Sequence, residues 1–356
     1  MKHVLITAGG TGGHVFPALA VAQQLQAEGW QVSWLGTNNR MEADVVPKAG
    51  FSFIGVTQQG LRGRGFFGWL TAPFRLVGAV FTMRGHLTKL KPDLVLGFGG
   101  YTAGPAGVAA WSKGIPLIIH EQNAAAGLTN RLLARIANKV LLGFDAAQQQ
   151  FKQSEYVGNP VRASIQALSQ LPIKPPAHPL RVLVVGGSLG AAHLNQVVPT
   201  ALAEWTDAPI QVWHQTGRGH LATVQAGYGD RPETKVTEFI DNMAEAYQQA
   251  DLIICRAGAL TCSELACVGR ASILVPYPHA VDNHQLLNAK ALEAVGAAIV
   301  IEQQQFTAAR LAEELKRLVK APADLQGMAE NARKAAVTDA TQAVVHRCNE
   351  LVVGNK

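Results

Sequence analysis

The chain has 356 residues, 48% of them hydrophobic and 16% charged, and its 31 Lys and Arg residues against 25 Asp and Glu residues give a formal net charge of +6. At roughly 100 to 200 residues per domain this length predicts two domains, and the apolar fraction suffices for two packed cores. Disordered and low-complexity proteins are excluded by this composition.

The first predicted element is a short apolar strand, Lys2 to Ala8, which leads into a glycine-rich turn at residues 9–14. The Ala, Leu and Val pattern that follows, as far as Leu25, predicts a helix. Backbone N–H groups and the positive end of the helix dipole at such a turn favour a phosphate. Because the glycines interrupt the apolar start, we expect no secretory signal peptide here.

Residues 45–92 contain no Asp or Glu but seven Lys and Arg residues, so this segment carries the whole positive excess. Large apolar groups lie between the cations, and the predicted patch consists of Phe66, Phe67, Trp69, Leu70, Phe74 and Arg75. Aromatic groups among cations favour an anionic membrane surface. Nucleic acid is not expected, because the apolar groups are clustered rather than spaced as a stacking platform. An ordinary loop followed by a core helix stays open as the alternative.

Further apolar strands alternate with helical patterns along the chain. They lie at residues 31–35, 94–96, 116–120, 139–142, 180–185, 210–214, 252–255, 272–276 and 298–301. Strands rich in Val, Ile and Leu that alternate with helices predict parallel, doubly wound sheets. The opening strand, glycine turn and helix recur from Leu180, so we predict an α/β fold with two Rossmann-like domains facing across a cleft. Four prolines between Gln170 and Pro179 place the hinge between about residues 160 and 179.

Two more turns could hold phosphate. A third glycine turn, residues 97–105, follows a strand and could bind a diphosphate or serve only close backbone packing. In the second half, residues 255–264 join a strand to a helix, so the N–H groups of Ala259 to Thr261 would point at a phosphate. Glu264, one turn further, could bind ribose hydroxyls or cap the helix start.

Several nucleotide-binding classes are not supported. Neither second strand ends in the Asp or Glu that nicotinamide and flavin enzymes place on the ribose, and no Gly-Lys-Ser/Thr follows a glycine loop. The sequence has no Asp-x-Asp motif, and its four cysteines lack the spacing of a zinc site. We therefore expect no metal and no other cofactor to be required.

A set of short motifs runs in order along nearly the whole chain. The motifs are Gly9–His14, Arg40–Asp44, Gly99–Tyr101, His120–Asn123, Gly158–Arg162, Gly186–Ser188, Glu238–Ile240, Arg256–Thr261 and Asp282–Gln285. With them the chain resembles the MurG family, the two-domain inverting N-acetylglucosaminyltransferases of bacterial peptidoglycan synthesis, which have the glycosyltransferase B fold. The resemblance implies transfer of N-acetylglucosamine from UDP-N-acetylglucosamine to the 4-hydroxyl of the muramoyl sugar of lipid I, giving lipid II.

The resemblance also implies a domain plan. Residues 1–162 would form the acceptor and membrane-associating domain, and residues 163–340 the donor domain. The pattern of the last helix, 341–356, does not fix its position, and we expect it to pack back on the first domain. The implied partners are UDP-N-acetylglucosamine, undecaprenyl-linked lipid I and an anionic membrane surface, with the protein peripheral at the cytoplasmic face of the inner membrane.

Donor contacts are assigned by the same resemblance. They are Thr11, Gly12, Gly13, Asn123, Arg162, Ser188, Ile240, Ala259, Leu260, Thr261, Cys262, Ser263, Glu264 and Gln285. Ser188 and the turn at Ala259 would hold the diphosphate, Glu264 the ribose, the backbone of Ile240 the uracil, and Gln285 the sugar. Residues 278–285 depart from the family pattern, so the roles of Asp282 and His284 stay open.

The acceptor diphosphate and the general base are both expected in the first domain. The acceptor diphosphate would lie over Gly10, Gly100, Tyr101 and Gly104. Inversion needs one displacement in which a base takes the acceptor proton while UDP leaves, and His14 is our candidate base. His14 could instead bond the turn or touch the acceptor diphosphate, and Glu121 is the rival base. Helix N-terminal N–H groups can stabilise the leaving diphosphate without a metal.

Other functions are compatible with these features. One is another B-fold glycosyltransferase that acts on a membrane lipid such as diacylglycerol. Another is the related UDP-N-acetylglucosamine epimerase, and a third is a non-enzymatic protein that binds nucleotide sugars.

Overall fold

The structure is a computed structural model that describes residues 1–57, 66–187, 190–203 and 205–354, with the backbone alone for residues 66–73. The chain divides into two compact units. The first consists of residues 1–162 and 339–356, and the second of residues 163–338.

The first unit is built on one seven-stranded parallel sheet with strand order β3-β2-β1-β4-β5-β6-β7. Its elements in chain order are β1 (His3–Thr7), α1 (Gly12–Ala27), β2 (Gln31–Thr37), α2 (Glu42–Lys48), β3 (Ser52–Val56), α3 (Phe66–Leu90), β4 (Leu94–Gly97), α4 (Ala103–Ser112), β5 (Leu117–Glu121), α5 (Leu128–Leu133), β6 (Lys139–Leu142), a 3₁₀ helix (Asp145–Gln150) and β7 (Glu155–Tyr156).

The second unit is built on a six-stranded parallel sheet with strand order β10-β9-β8-β11-β12-β13. Its elements are α6 (Ala163–Gln166), a 3₁₀ helix (Ala167–Gln170), β8 (Leu180–Val185), α7 (Ala192–Ala203), β9 (Ile210–Gln215), α8 (Leu221–Tyr228), β10 (Thr234–Thr237), α9 (Met243–Gln249), β11 (Leu252–Cys255), α10 (Ala259–Val268), β12 (Ala271–Leu274), a 3₁₀ helix (Val281–Asn283), α11 (His284–Ala294), β13 (Ala298–Val300), α12 (Ala308–Lys320) and α13 (Pro322–Lys334).

The last helix, α14 (Ala340–Val353), belongs to the first unit. Val344 and Cys348 of this helix lie in the same buried cluster as Leu25 of α1. The Asn349 side chain accepts hydrogen bonds from Lys2 Nζ at 3.0 Å and Trp30 Nε1 at 3.2 Å. Apolar packing and these polar contacts together hold α14 on the first unit.

The central strands are buried on both faces, as the continuous apolar runs predict. In β1, Val4 and Ile6 belong to the cluster under α1, whereas Leu5 belongs to the cluster under α3 and α4. Successive strand residues point to opposite faces, so a strand covered by helices on both sides must be apolar at every position. Thr7 pairs with Leu35 and Gly97, which brings the carboxyl ends of β1, β2 and β4 into line.

The predicted α/β class with two Rossmann-like units and parallel sheets is confirmed, and each predicted strand is present within a few residues. The prediction missed β3, β7 and β10, which are all edge strands. An edge strand contacts one neighbour and packs less apolar surface, so β10 reads Thr-Lys-Val-Thr and carries no apolar run.

Two further findings concern the membrane and the thiols. Within the described residues we find no helix whose length and apolar character would let it span a bilayer. The four cysteines are free and buried.

Candidate functional site

The first glycine turn joins β1 to α1. Gly10 has φ +93°, a backbone conformation that favours glycine. Thr11 is the extended N-cap of α1, and its side chain makes no capping hydrogen bond. Among the described residues nothing accepts the N–H groups of Gly12 and Gly13, whereas His14 and Val15 both donate to the Thr11 carbonyl at 3.1 Å. The helix start therefore presents unbonded donors that suit an anion.

A buried carboxylate braces this turn. Glu42, the first residue of α2, is fully buried, and its two oxygens accept N–H groups from Gly10 and Thr37, each at 3.1 Å. A Cβ at Gly9 would overlap the same carboxylate. The motif around Arg40 to Asp44 thus has a structural use, because Glu42 ties the turn to the end of β2.

The third glycine turn packs directly against the first. Gly99 and Gly100 have φ of +97° and +89°, and a Cβ at Gly100 would lie 2.6 Å from the Gly9 carbonyl oxygen. A Cβ at Gly99 would lie 3.2 Å from two atoms of the His14 ring. Close packing therefore accounts for both glycines. The same contact places the His14 imidazole over the third turn.

The other residues expected at the acceptor diphosphate lie on this third turn and the helix after it. Tyr101 is 46% exposed. Gly104 is in the first turn of α4, where a Cβ would meet the Thr129 side chain at 3.3 Å. A role in anion binding stays a prediction for these residues and for Gly10 and Gly100.

His14 and its rival Glu121 have different surroundings. The half-buried His14 ring places Nδ1 2.7 Å from Gln122 Oε1. The Glu121 carboxylate is 2% exposed and accepts four N–H groups, from the backbone and side chain of Asn123, from Gly127 and from Asn130, at 2.8–3.2 Å. Glu121 organises the loop after β5, and this arrangement favours His14 as the base.

Asn123 and Arg162, the remaining predicted donor contacts of the first unit, are both half-buried. Asn123 is held by Glu121 through its backbone and its side chain. The Arg162 guanidinium lies 5.4 Å from the ring centre of Phe16 on α1. Both residues therefore belong to the same unit as the first glycine turn.

The glycine turn of the second unit is braced in a similar way. Gly187 has φ +83°, and its N–H and carbonyl groups both bond the Gln215 side chain at 3.0 Å. Gln215 also donates to the Glu238 carbonyl at 2.7 Å, which ties the turn to the end of β10. The predicted diphosphate ligand Ser188 lies outside the described residues. Ile240, the predicted uracil contact, is half-buried just beyond β10.

The start of α10 provides the second set of helix N–H groups. Gly258 is the N-cap, Ala259, Leu260 and Cys262 are buried, and Thr261 is half-buried. The first N–H groups of a helix have no partner within it, so this end suits a phosphate. Burial raises the pKa of the Cys262 thiol well above its usual range, which keeps the thiol neutral.

Glu264 lies in the second turn of α10, and the first turn holds no acidic residue. It therefore does not cap the helix. Its side chain is 4% exposed, and Oε2 accepts the Tyr247 hydroxyl at 3.1 Å. Ser263, beside it, donates to the Ala259 carbonyl at 3.0 Å. The ribose role of Glu264 stays a prediction.

Gln285 lies near the start of α11. Its Oε1 accepts the Tyr277 N–H at 3.0 Å, so the side chain closes the loop after β12. The preceding Asp282 and Asn283 have φ of +53° and +52°. The stretch that departs from the family pattern is thus also a stretch of unusual backbone, and the sugar contact of Gln285 stays a prediction.

The predicted membrane patch is described in part. The side chains of Phe66, Phe67, Trp69 and Leu70 lie outside the described residues, and Arg75 is exposed. Phe74, Val77 and Phe81 of α3 are 81%, 55% and 67% exposed. Their spacing of three and four residues places them on one face of the helix. We call these three side chains the α3 stripe.

Sequence reasoning missed three residues that organise the turns, namely Glu42, Gln122 and Gln215. Each is a buried carboxylate or amide at the end of a strand or at the start of the next helix. The signal available in the sequence was a carboxylate or amide residue at the end of an apolar strand or at the start of the next helix. Such a residue is easily buried, and a buried polar group requires hydrogen-bond partners. Within the described ranges, no group of three or more His, Cys, Asp or Glu residues is arranged to hold a metal ion.

Comparison with known proteins gives consistent results over both units. Residues 4–142 match the glycosyltransferase family 28 N-terminal domain, and residues 181–344 match the glycosyltransferase family 28 C-terminal domain. The chain is 51% identical over 354 residues to the UDP-N-acetylglucosamine--N-acetylmuramyl-(pentapeptide) pyrophosphoryl-undecaprenol N-acetylglucosamine transferase of Shewanella amazonensis, covering 98% of each chain. It is also 51% identical to the Tolumonas auensis protein of the same name, covering 99% of each. The crystal structure of Acinetobacter baumannii MurG superposes with a TM-score of 0.83 at 41% identity, covering 98% of this chain and 100% of that one.

Proposed function

The chain belongs to glycosyltransferase family 28, and from this premise we propose that it transfers N-acetylglucosamine from UDP-N-acetylglucosamine to the 4-hydroxyl of the muramoyl sugar of lipid I. The product is lipid II, with inversion at the anomeric carbon, in peptidoglycan synthesis. The named relatives, about half identical over nearly their full length, support this substrate pair. The observation that carries the proposal is the His14 imidazole, which follows the first glycine turn, packs on Gly99 of the third turn and lies beside unbonded helix N–H groups.

The donor is assigned to the second unit. Backbone N–H groups of Ala259 to Thr261, with Ser188, bind the diphosphate, and charge that develops on the leaving UDP is stabilised by the helix N-terminus. The Glu264 carboxylate, with one oxygen held by Tyr247, binds the ribose hydroxyls. Ile240 binds uracil through its backbone, and Gln285 binds the sugar. In the first unit Thr11, Gly12, Gly13, Asn123 and Arg162 add the remaining donor contacts.

The acceptor is assigned to the first unit. Its diphosphate binds over Gly10, Gly100, Tyr101 and Gly104, and His14 takes the proton of the 4-hydroxyl. The hydroxyl oxygen forms the bond to the anomeric carbon while the bond from that carbon to the UDP oxygen breaks. The proton passes to His14 and the electron pair leaves with UDP. None of these steps requires a metal or another cofactor.

We place the protein at the cytoplasmic face of the inner membrane as a peripheral protein. The acid-free segment of residues 45–92 and the exposed α3 stripe support this location. Basic residues near an anionic surface add about 1 kcal/mol each to binding, and exposed aromatic rings insert at the headgroup level.

The test is turnover with defined substrates. The purified chain is incubated with labelled UDP-N-acetylglucosamine and a lipid I analogue, and the products are identified by mass spectrometry and by NMR of the new linkage. We expect UDP and a β-(1→4)-linked disaccharide lipid, with no sugar transfer when the acceptor is left out. Glycosylated diacylglycerol, an epimerised nucleotide sugar, or binding without turnover would each identify one of the alternative functions and reject this one.

A further inference from the structure

A chain of hydrogen bonds lies behind the His14 ring in the first unit. His120 Nε2 is 3.0 Å from the Gly158 carbonyl oxygen. Gln122 Nε2 is 3.1 Å from His120 Nδ1 and 2.9 Å from the His120 carbonyl oxygen. Gln122 Oε1 is 2.7 Å from His14 Nδ1. The chain runs from a backbone carbonyl to the candidate base, and each link limits the next.

The protonation of His120 is fixed at the first link. A carbonyl oxygen can only accept, so His120 Nε2 carries a hydrogen and donates it to Gly158. His120 is fully buried, and burial lowers the pKa of its imidazole to about 4. The ring is therefore neutral near pH 7, and its Nδ1 is an acceptor.

The orientation of the Gln122 amide is fixed at the second link. One end of this amide faces two acceptors, the His120 ring nitrogen and the His120 carbonyl. Only the NH₂ group can donate to both, so the amide oxygen must point the other way, toward His14. Gln122 is 1% exposed, which leaves little room for a second arrangement.

The tautomer of His14 is fixed at the third link, its hydrogen bond to Gln122. An amide oxygen only accepts, so His14 Nδ1 must carry a hydrogen, and in the neutral ring the lone pair is then on Nε2. Within the described part of the chain, Nε2 has no hydrogen-bond partner. The ring cannot shift freely, because it packs on Gly99 so closely that a Cβ there would lie 3.2 Å from two ring atoms.

We propose that Gln122 is a positioning residue that holds His14 in the Nδ1–H form and so presents Nε2 as the proton acceptor. The tautomer follows from the hydrogen bonds alone, whereas its catalytic use rests on the proposed function. Many catalytic histidines are oriented in this way by a carboxylate. An amide oriented by a buried neutral histidine gives the same tautomer without placing a negative charge beside the base.

The tautomer can be measured without substrate. The full chain is labelled with ¹⁵N-histidine, and two-bond ¹H–¹⁵N spectra at pH 7.5 identify which ring nitrogen of each histidine is protonated, with the His14→Asn spectrum assigning the His14 signals. We expect His14 as Nδ1–H and His120 as Nε2–H. A wild-type His14 in the Nε2–H form overturns the proposal, whether or not the Gln122 variants fold.

Two variants test the role of Gln122. Gln122→Met removes all three side-chain hydrogen bonds at similar volume. We expect His14 to lose its single tautomer and kcat to fall by at least about 10-fold, and by no more than the roughly 10²- to 10⁴-fold that a general base contributes in full. Gln122→Glu keeps an oxygen facing His14, so it should retain the Nδ1–H signal of His14. Its second oxygen replaces the NH₂ group that donates to His120, so kcat should recover only in part relative to Gln122→Met. The donor KM should stay within about 3-fold of the wild type in both.

The matched control is Gln150→Met. Gln150 is an amide of the same unit that accepts the Ala126 N–H at 2.8 Å and donates to the Ala124 carbonyl at 2.9 Å, with no link to His14. It should leave the His14 signals and kcat unchanged. A Gln122→Met variant with the wild-type His14 signal and kcat would reject the positioning role. Absence of lipid II synthesis by the wild type would instead reject the proposed function and leave the tautomer standing.

Discussion

One buried polar side chain holds the first glycine turn of each unit. Glu42 holds Gly10 and Thr37 in the first unit, and Gln215 holds Gly187 in the second. A buried donor without a partner is costly, so each brace restrains the backbone that surrounds it. The two turns are therefore kept in place by buried side chains from other parts of the same unit.

His14 is the residue whose loss should affect the chemistry most directly. We expect His14→Ala to lower kcat by about 10²- to 10⁴-fold, because the acceptor hydroxyl would lose its general base. Steady-state assays with UDP-N-acetylglucosamine and a lipid I analogue measure this. The control is His346→Ala, at an exposed position of α14. Turnover of His14→Ala close to the wild-type value would show that another group is the base.

Glu42 should matter for stability. Glu42→Ala leaves two buried N–H groups without an acceptor, so we expect a loss of about 2 to 4 kcal/mol in the free energy of unfolding. Urea denaturation followed by circular dichroism measures it. Asp44→Ala, on the same helix but 70% exposed, should change stability by less than about 0.5 kcal/mol. Equal midpoints for the two variants would argue against the brace.

Glu264 should affect donor binding. We expect Glu264→Ala to raise the donor KM by at least about 10-fold, because a hydrogen bond to a charged group contributes roughly 1.5 to 3 kcal/mol. Glu245→Ala, at an exposed site on α9, is the control and should leave the donor KM unchanged. An unaltered donor KM in a folded Glu264→Ala variant would remove Glu264 from the ribose site.

At the scale of elements, α3 combines two environments. Met83 and Leu87 are 1% exposed and belong to the core, whereas the α3 stripe faces outward. The later part of α3 is therefore a core helix, which was the alternative to a membrane patch. The apolar side chains of the α3 stripe are not part of that core. A helix that buries one face and leaves aromatic rings exposed on another has the pattern of an interface element.

The α3 stripe should bind vesicles. We expect Phe74→Asp combined with Phe81→Asp to weaken sedimentation with phosphatidylglycerol vesicles by at least about 10-fold, and added salt to weaken wild-type binding. Thr82→Asp with Thr88→Asp changes the charge of the same helix equally without removing aromatic area. If both double variants bind alike, charge alone explains the affinity. If the Phe variant binds like the wild type, the stripe is not a membrane contact.

At the scale of the whole molecule, each unit encloses a neutral histidine. Burial lowers the pKa of both His120 and His214 to about 4. In the unfolded chain these two imidazoles bind protons below about pH 6.5. Between about pH 4 and pH 6.5 the unfolded chain therefore holds more protons than the folded chain. The contribution of the two histidines to the free energy of unfolding is therefore fully present above about pH 6.5 and is lost as the pH falls toward 4.

Acid should therefore destabilise both units. At pH 5 the loss is on the order of 2 kcal/mol for each histidine relative to pH 7.5. Urea denaturation at the two pH values measures it, and His214→Gln should reduce the difference whereas His346→Ala should not. Equal midpoints at pH 5 and 7.5 would contradict a neutral buried state.

The α/β class, the order of the central strands along the chain and the glycine turns could all be predicted from the sequence. These follow from local rules, because a strand buried on both faces must be apolar throughout and a turn with positive φ favours glycine. Among the edge strands of the described residues, β3, β7 and β10 escaped prediction, since a segment with one neighbour need not be apolar, whereas the apolar edge strand β13 was predicted.

The surroundings of each glycine turn could not be predicted, because they depend on contacts made in the folded protein. The long-range hydrogen bonds of Glu42, Gln122 and Gln215 join segments 23 to 108 residues apart in the chain, beside the short-range ones to Thr37 and His120. No local sequence pattern predicts such a pairing, because the two hydrogen-bonding groups come close together only when the strands that carry them align in the sheet. The packing of α14 beside α1 depends on apolar burial and on the Asn349 contacts. The single orientation of the Gln122 amide follows from the need of buried donors and acceptors for partners.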